Sequence, residues 1–240
     1  MADFEYHALI EFVNRLFTGV VTIAVAMAVL GSLRLIPRRR ELVWLSFGLV
    51  AGVIAQIILG GLLVKTDLDP RFTMGHFLLS MVLLWNAAVL QHRVSEPPRP
   101  TSADGRDHDR FTILIWAVFI ASAALLVTGT VVTGSGPHSG SAKPEVASRL
   151  PFLVKEVTRL HSITAMIVLA LLIAAGITAR QRGNAAVLRR AVGLGILLLL
   201  QGGLGYLQYF AGVPAMLVAI HIALASITWI AVVRLKLAAT

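Results

Sequence analysis

"QIILGGLLVKTDLDPRFTMGHFLLSMVLLW" at residues 56–85 and "QGGLGYLQYFAGVPAMLVAIHIALASITW" at residues 201–229 decide how the whole chain is read. Each stretch is a long apolar run, a short break containing proline, and a second apolar run. In each, a glutamine (Gln56, Gln201) and a Gly-Gly pair (Gly60-Gly61, Gly202-Gly203) precede the break. A histidine (His76, His221) stands near the start of the second run, and a tryptophan (Trp85, Trp229) follows eight or nine residues later. A membrane helix needs ~20 largely apolar residues, so each stretch is a pair of spans joined by a tight turn. Two copies of one such pair in a single chain indicate a polytopic membrane protein built on an internal repeat.

The same length criterion finds seven runs, at 12–35, 43–64, 72–91, 111–134, 151–178, 187–210 and 213–234. Mean hydropathy is +0.82 and charged residues are only 14% of 240, values that exclude a soluble domain. The formal net charge of +9 does not signal nucleic acid, because the arginines fall in particular loops. There is no cysteine, which excludes disulfides, thiolate metal sites and cysteine nucleophiles. The opening "MADFEYHALIEFVNR" lacks the basic segment and short apolar core of a signal peptide.

Arginine placement sets the orientation. "RLIPRRRE", "HRVSEPPRPTSADGRDHDR", "RQRGNAAVLRR" and the tail with Arg234 and Lys236 alternate with the Arg-poor segments "KTDLDPR", "TGSGPHSGSAKPEVASR" and "AGVP". The Arg-rich side is expected to be cytoplasmic, with the N-terminus outside, the C-terminus inside and the protein in the cell membrane.

The repeat extends further. The first run opens with Glu11 and Arg15 in "EFVNRLF", and the fifth opens with Glu156 and Arg159 in "EVTRLHS". The fourth run has no counterpart in the first half. The expectation is an all-α protein of seven transmembrane helices, arranged as two four-helix-bundle repeats with the first copy short of one helix because the chain begins late. Its parts would be a half-bundle at 1–92, a cytoplasmic linker at 93–110 and a four-helix bundle at 111–240.

Intramembrane ionisable residues are expensive and usually face the bundle interior. His76, His161 and His221 lie inside apolar runs at similar depth, whereas His92, His108 and His138 fall at a helix end or in loops, where solvation suffices. Histidines on separate helices, with no cysteine, suit haem iron better than zinc. His161 and His221 would pair in the second bundle. In the first, His76 is the equivalent of His221, and the first run offers Asn14, a poor iron ligand. His7, about two helical turns before Asn14, is a further candidate ligand, with Glu11 between them. Glu11 and Arg15 form either a helix-end ion pair or a proton-handling acid beside a propionate-binding guanidinium. Glu156 and Arg159 have a similar choice.

Together "EFVNRL", "GHFLLSM", "EVTRLHSITA" and "LVAIHIALASITW" resemble the haem A synthase family over essentially the whole chain. Asn14 makes it similar to the variant of high-GC Gram-positive bacteria, and the chain is expected to lack the first transmembrane helix of the family. "TGTVVTGSGPHSG" resembles the Gly-rich loop that follows the first helix of each family half. The resemblance implies an eight-helix protein of two halves. His161 and His221 would hold haem b, while the first half takes haem O as substrate and oxidises a methyl to the formyl of haem A for cytochrome oxidase. Glu11 would be catalytic, and His76, Arg15, Arg159 and His7 would contact haem. Expected partners are the lipid bilayer, haem O, an electron donor of unassigned identity, haem O synthase and a second copy of the chain, with no nucleic acid. The competing reading is a cytochrome b-type electron-transfer protein, which would want four intramembrane histidines. A transporter would want charges at mid-membrane rather than at helix ends. A retinal protein would want a lysine deeper than Lys236.

Overall fold

The computed structural model describes residues 2–95, 110–139 and 148–239, except the side chains at 2–8, 10 and 11. It consists of seven helices: α1 (Ala2–Arg34), α2 (Arg40–Lys65), α3 (Pro70–Ser95), α4 (Arg110–Ser135), α5 (Val154–Gln181), α6 (Ala185–Phe210) and α7 (Ala215–Ala238). All seven are long and apolar enough to cross a membrane. Among the described residues there is no strand. Without water in the bilayer core, a helix satisfies every backbone N–H and C=O within its own segment. The helix ends lie within a few residues of the apolar runs, except that α1 begins well before residue 12. The helical start therefore carries positions 7, 11 and 14 on successive turns.

The second half closes into a ring. α4 packs on α5, α5 on α6, α6 on α7, and α7 back on α4. The first half is an open row: α1 packs on α2 and α2 on α3, and among the described residues α1 touches no other helix. Phe12, Phe17, Ile23 and Met27 on α1 are all exposed, which lipid tolerates and water would not. α3 joins the halves by packing on both α4 and α7.

Small and polar residues make the close contacts that apolar burial cannot drive in lipid. Ser32 Oγ on α1 meets Ser46 Oγ on α2 at 2.9 Å, beside a cluster of Leu42, Leu49 and Leu90. Asn86 Nδ2 on α3 donates to Leu45 O on α2 at 3.0 Å, over the bare Cα of Gly48. At the junction of the halves, the Phe119 ring lies 5.4 Å from Trp85 and 5.1 Å from Trp229. Trp229 Nε1 donates to Met81 O at 2.8 Å. Lys236 Nζ sits 3.8 Å from the Trp116 ring centroid, so this end of the junction holds its cation against an aromatic face.

The two helix–turn–helix units repeat in backbone detail. After α2, Asp67 and Leu68 are both left-handed (φ 52° and 63°); after α6, Gly212 and Val213 are left-handed in the same places (78° and 60°). Leu68 N donates to Leu63 O at 2.9 Å, and Val213 N to Gln208 O at 2.7 Å. One sequence shift, the one that carries Gln56 onto Gln201, superimposes both turns and both histidines without a gap.

Candidate haem-ligating site

His76, His161 and His221 each lie about two turns into α3, α5 and α7. Because successive helices alternate in direction, the three rings sit at one end of the molecule. All three are half-buried. Among the described residues no group of three or more His, Cys, Asp or Glu forms a metal cluster. What the bundle offers is imidazoles from separate helices.

Each ring is backed by a glycine on a neighbouring helix. A Cβ added at Gly129 on α4 would stand 3.1 Å from His161 Cε1. One added at Gly205 on α6 would stand 3.2 Å from His221 Cε1, and one at Gly60 on α2 would stand 3.6 Å from His76 Cε1. The Gly60–Gly205 match corrects the pairing expected from sequence. Gly202 and Gly203 face open space, and the true counterpart of Gly60 is Gly205.

The tautomer of His161 follows from a hydroxyl. Thr128 Oγ1 on α4 lies 3.0 Å from Leu125 O and 3.0 Å from His161 Nδ1. A hydroxyl has one hydrogen, and a carbonyl can only accept it, so Thr128 donates to Leu125 O and accepts from Nδ1–H. The Nε2 lone pair of His161 is then free for a ligand.

His76 and His221 are held by the main chain instead. Gln56 Nε2 donates to His76 O at 3.1 Å, and Gln201 Nε2 donates to His221 O at 2.9 Å, each pair separated by 20 residues. Several buried polar atoms at this end have no partner among the described residues: His76 Nδ1, Gln56 Oε1, His221 Nδ1, Gln201 Oε1, Gln208 Oε1 and Thr158 Oγ1. Buried polar groups are normally paired, so these atoms leave hydrogen-bonding capacity unspent at this end. A macrocycle held through imidazole Nε2, against glycine rather than against side chains, fits these residues.

The other predicted residues are placed less tightly. Arg15 is exposed on α1, and Arg159 and Glu156 are exposed on α5. The Glu156 and Arg159 side chains do not pair with each other or with any other described side chain. Glu11 and His7 lie on α1, and their side chains fall outside the described residues, as does the whole of His108. His138 is exposed but not idle: its Nε2 lies 2.8 Å from Val213 O and ties the α4–α5 loop to the α6–α7 turn. His92 is half-buried and lines a separate polar cavity of about 240 Å³ at the Arg-rich end, with Gln91, Arg190 and Arg234. Thr128, Gly129 and Gly205 were not predicted from sequence. The common spacing of Gln56–His76 and Gln201–His221 would have found Gly205, whereas nothing in the first half corresponds to Thr128 and Gly129.

Fold and site define a multi-pass helical membrane protein with two repeated helix pairs, each presenting a glycine-backed histidine at one end. A comparison with curated proteins finds no match. The family model for COX15-CtaA, described as cytochrome oxidase assembly protein, matches residues 1–233, and the chain belongs to that family. Membership carries a role in cytochrome oxidase assembly, in haem A synthesis.

Proposed function

We propose that the chain oxidises the haem O methyl group to the formyl of haem A, with a resident haem b held by His161 and His221. The observation that carries this reading is the difference between the two halves. In the closed ring, two imidazoles at one end come from α5 and α7, and one of them already has its Nε2 lone pair left available by Thr128. His161 and His221 would both ligate the haem b iron, which would then supply electron transfer rather than oxidation chemistry. In the open row, His76 is the one histidine with a described side chain at this end, His92 lying at the opposite end of α3, and the start of α1 carries Asn14. An iron held on one side keeps a position open, as oxidation of a bound substrate requires.

In this scheme His76 would hold the substrate iron, and His7 on α1 would contact the haem without closing the open iron position. The oxidation would consume dioxygen together with electrons from the external donor, the second oxygen atom of each dioxygen leaving as water, and Glu11 would handle the protons. Arg15 and Arg159, both exposed at the same end, pair with propionates through their planar forks. Haem b supplies one-electron transfer between the substrate half and an external donor. The lipid bilayer delivers haem O, and haem O synthase and a second copy of the chain are the proposed protein neighbours. The membrane is the cell membrane, with the Arg-rich loops cytoplasmic.

The test is to purify the chain, count haems by pyridine haemochromogen and follow haem O by mass. Bound haem b with conversion of haem O to haem A supports the proposal. Bound haem without conversion favours the cytochrome b-type electron carrier. A chain that takes up no haem refutes both.

A further inference from the structure

We infer that Gln56 and Gln201 are positioning residues that accept the Nδ1–H of His76 and His221, and so set the donor strength of each ring toward a ligand on Nε2. The inference rests on the haem reading above and adds to it the groups that tune the two histidines on α3 and α7.

The argument is an accounting of donors and acceptors. A neutral imidazole has one N–H. If Nε2 keeps its lone pair for a ligand, the hydrogen is on Nδ1, and that hydrogen needs an acceptor. For His161 the acceptor is Thr128 Oγ1. For His76 and His221 the Nδ1 atom is buried and unpartnered. In each case a buried, unpartnered acceptor belongs to the glutamine already bonded to that same histidine: Gln56 Oε1 for His76 and Gln201 Oε1 for His221. Among the described residues of the first half these two atoms are the orphans at this end, His92 Nε2 lying at the other. The inference joins this donor and acceptor, on two residues already bonded through the histidine carbonyl, directly or through one water.

The amide orientation that leaves Oε1 available is itself fixed in the first half. Gln56 Nε2 has two acceptors, His76 O at 3.1 Å and Ser80 Oγ at 2.6 Å. Ser80 Oγ spends its own hydrogen on His76 O at 3.0 Å, so it can only accept from the amide. In the second half the place of Ser80 is taken by Ala225, and Gln201 is held by the carbonyl alone. The first-half glutamine is therefore the more rigid of the two.

A metal-bound histidine whose other nitrogen donates to an acceptor is oriented and more basic, and loss of such a partner typically weakens metal affinity ~10–100-fold. The test uses the full chain with its haem and compares Gln201→Leu with Gln201→Glu, a change that keeps the shape and strengthens the acceptor while, like Gln201→Leu, losing the amide donor to His221 O. Haem retention and midpoint potential are the readouts. Gln201→Leu is expected to weaken haem retention about 10–100-fold and to raise the potential of the haem that remains. Gln201→Glu is expected to keep haem bound and to lower the potential. Equal potentials in wild type, Gln201→Leu and Gln201→Glu, with haem bound in all three, overturn this inference and leave the haem reading standing. A wild-type chain without haem overturns both.

Discussion

Adding one methyl at each of the three glycines behind the histidines should produce a graded response. At Gly129 the new Cβ would stand 3.1 Å from His161 Cε1 and 3.5 Å from its Nδ1. At Gly205 it would stand 3.2 Å from His221 Cε1. Both distances are tighter than ordinary van der Waals contact, so each ring must move by a few tenths of an ångström. At Gly60 the distance to His76 Cε1 is 3.6 Å, an ordinary contact. Overpacking of this kind costs about 1–3 kcal/mol, while replacing a helical glycine by alanine returns up to about 1 kcal/mol of helix propensity. Gly60→Ala should therefore be neutral or stabilising by up to ~1 kcal/mol. Gly129→Ala and Gly205→Ala should cost ~0–2 kcal/mol of stability, because the propensity gain offsets only part of the overpacking. Their effect on haem comes through the ring position. If the site must be restored to bind haem, ~1–3 kcal/mol converts to about 5- to 150-fold weaker haem retention. Gly129→Ala should be the worse of the two, since it also disturbs the 3.0 Å contact with Thr128. The assay is haem absorbance per protein in detergent, beside thermal unfolding followed by circular dichroism. Gly60→Ala losing as much haem as Gly205→Ala, or Gly129→Ala retaining a wild-type haem spectrum and content, would refute the reasoning.

Thr128→Val removes the acceptor of His161 Nδ1–H and leaves a buried donor unpaired; a loss of ~1–3 kcal/mol in haem binding is expected, with Thr128→Ser restoring it. Titration of haem into the apo-protein measures this, and a Thr128→Val affinity equal to wild type would remove the tautomer argument. Glu11→Gln should abolish haem O conversion by mass while haem b content stays unchanged, and conversion at the wild-type rate would exclude Glu11 as the proton acceptor. Trp229→Phe deletes the 2.8 Å hydrogen bond to Met81 O at the junction of the halves and should lower stability by ~1–3 kcal/mol without changing haem content; an unchanged unfolding midpoint would count against that contact.

The helices were legible because the bilayer demands one thing of every spanning segment, a run of apolar residues long enough to cross it. That demand is local, so composition alone gave all seven spans and their order. The repeat was legible for a related reason. Gln56, His76 and Trp85 recur as Gln201, His221 and Trp229, and the same residues in the same order fold the same way. The three intramembrane histidines stood out because an imidazole in an apolar run has no local reason to be there.

The packing partners were not legible. Gly202-Gly203 looked like the counterpart of Gly60-Gly61, yet it is Gly205 that meets His221, because a helical face is set by rotation about the axis and not by proximity in sequence. Thr128 looked like one hydroxyl among many on α4. Only the approach of α5 brings it to His161 Nδ1, from 33 residues away. The sequence by itself determined how many helices cross the membrane and which residues are too costly to be there by chance. The tertiary structure decided which atoms meet those residues. It closed α4–α7 into a ring and left α1–α3 as an open row, a difference made by contacts between helices far apart in sequence.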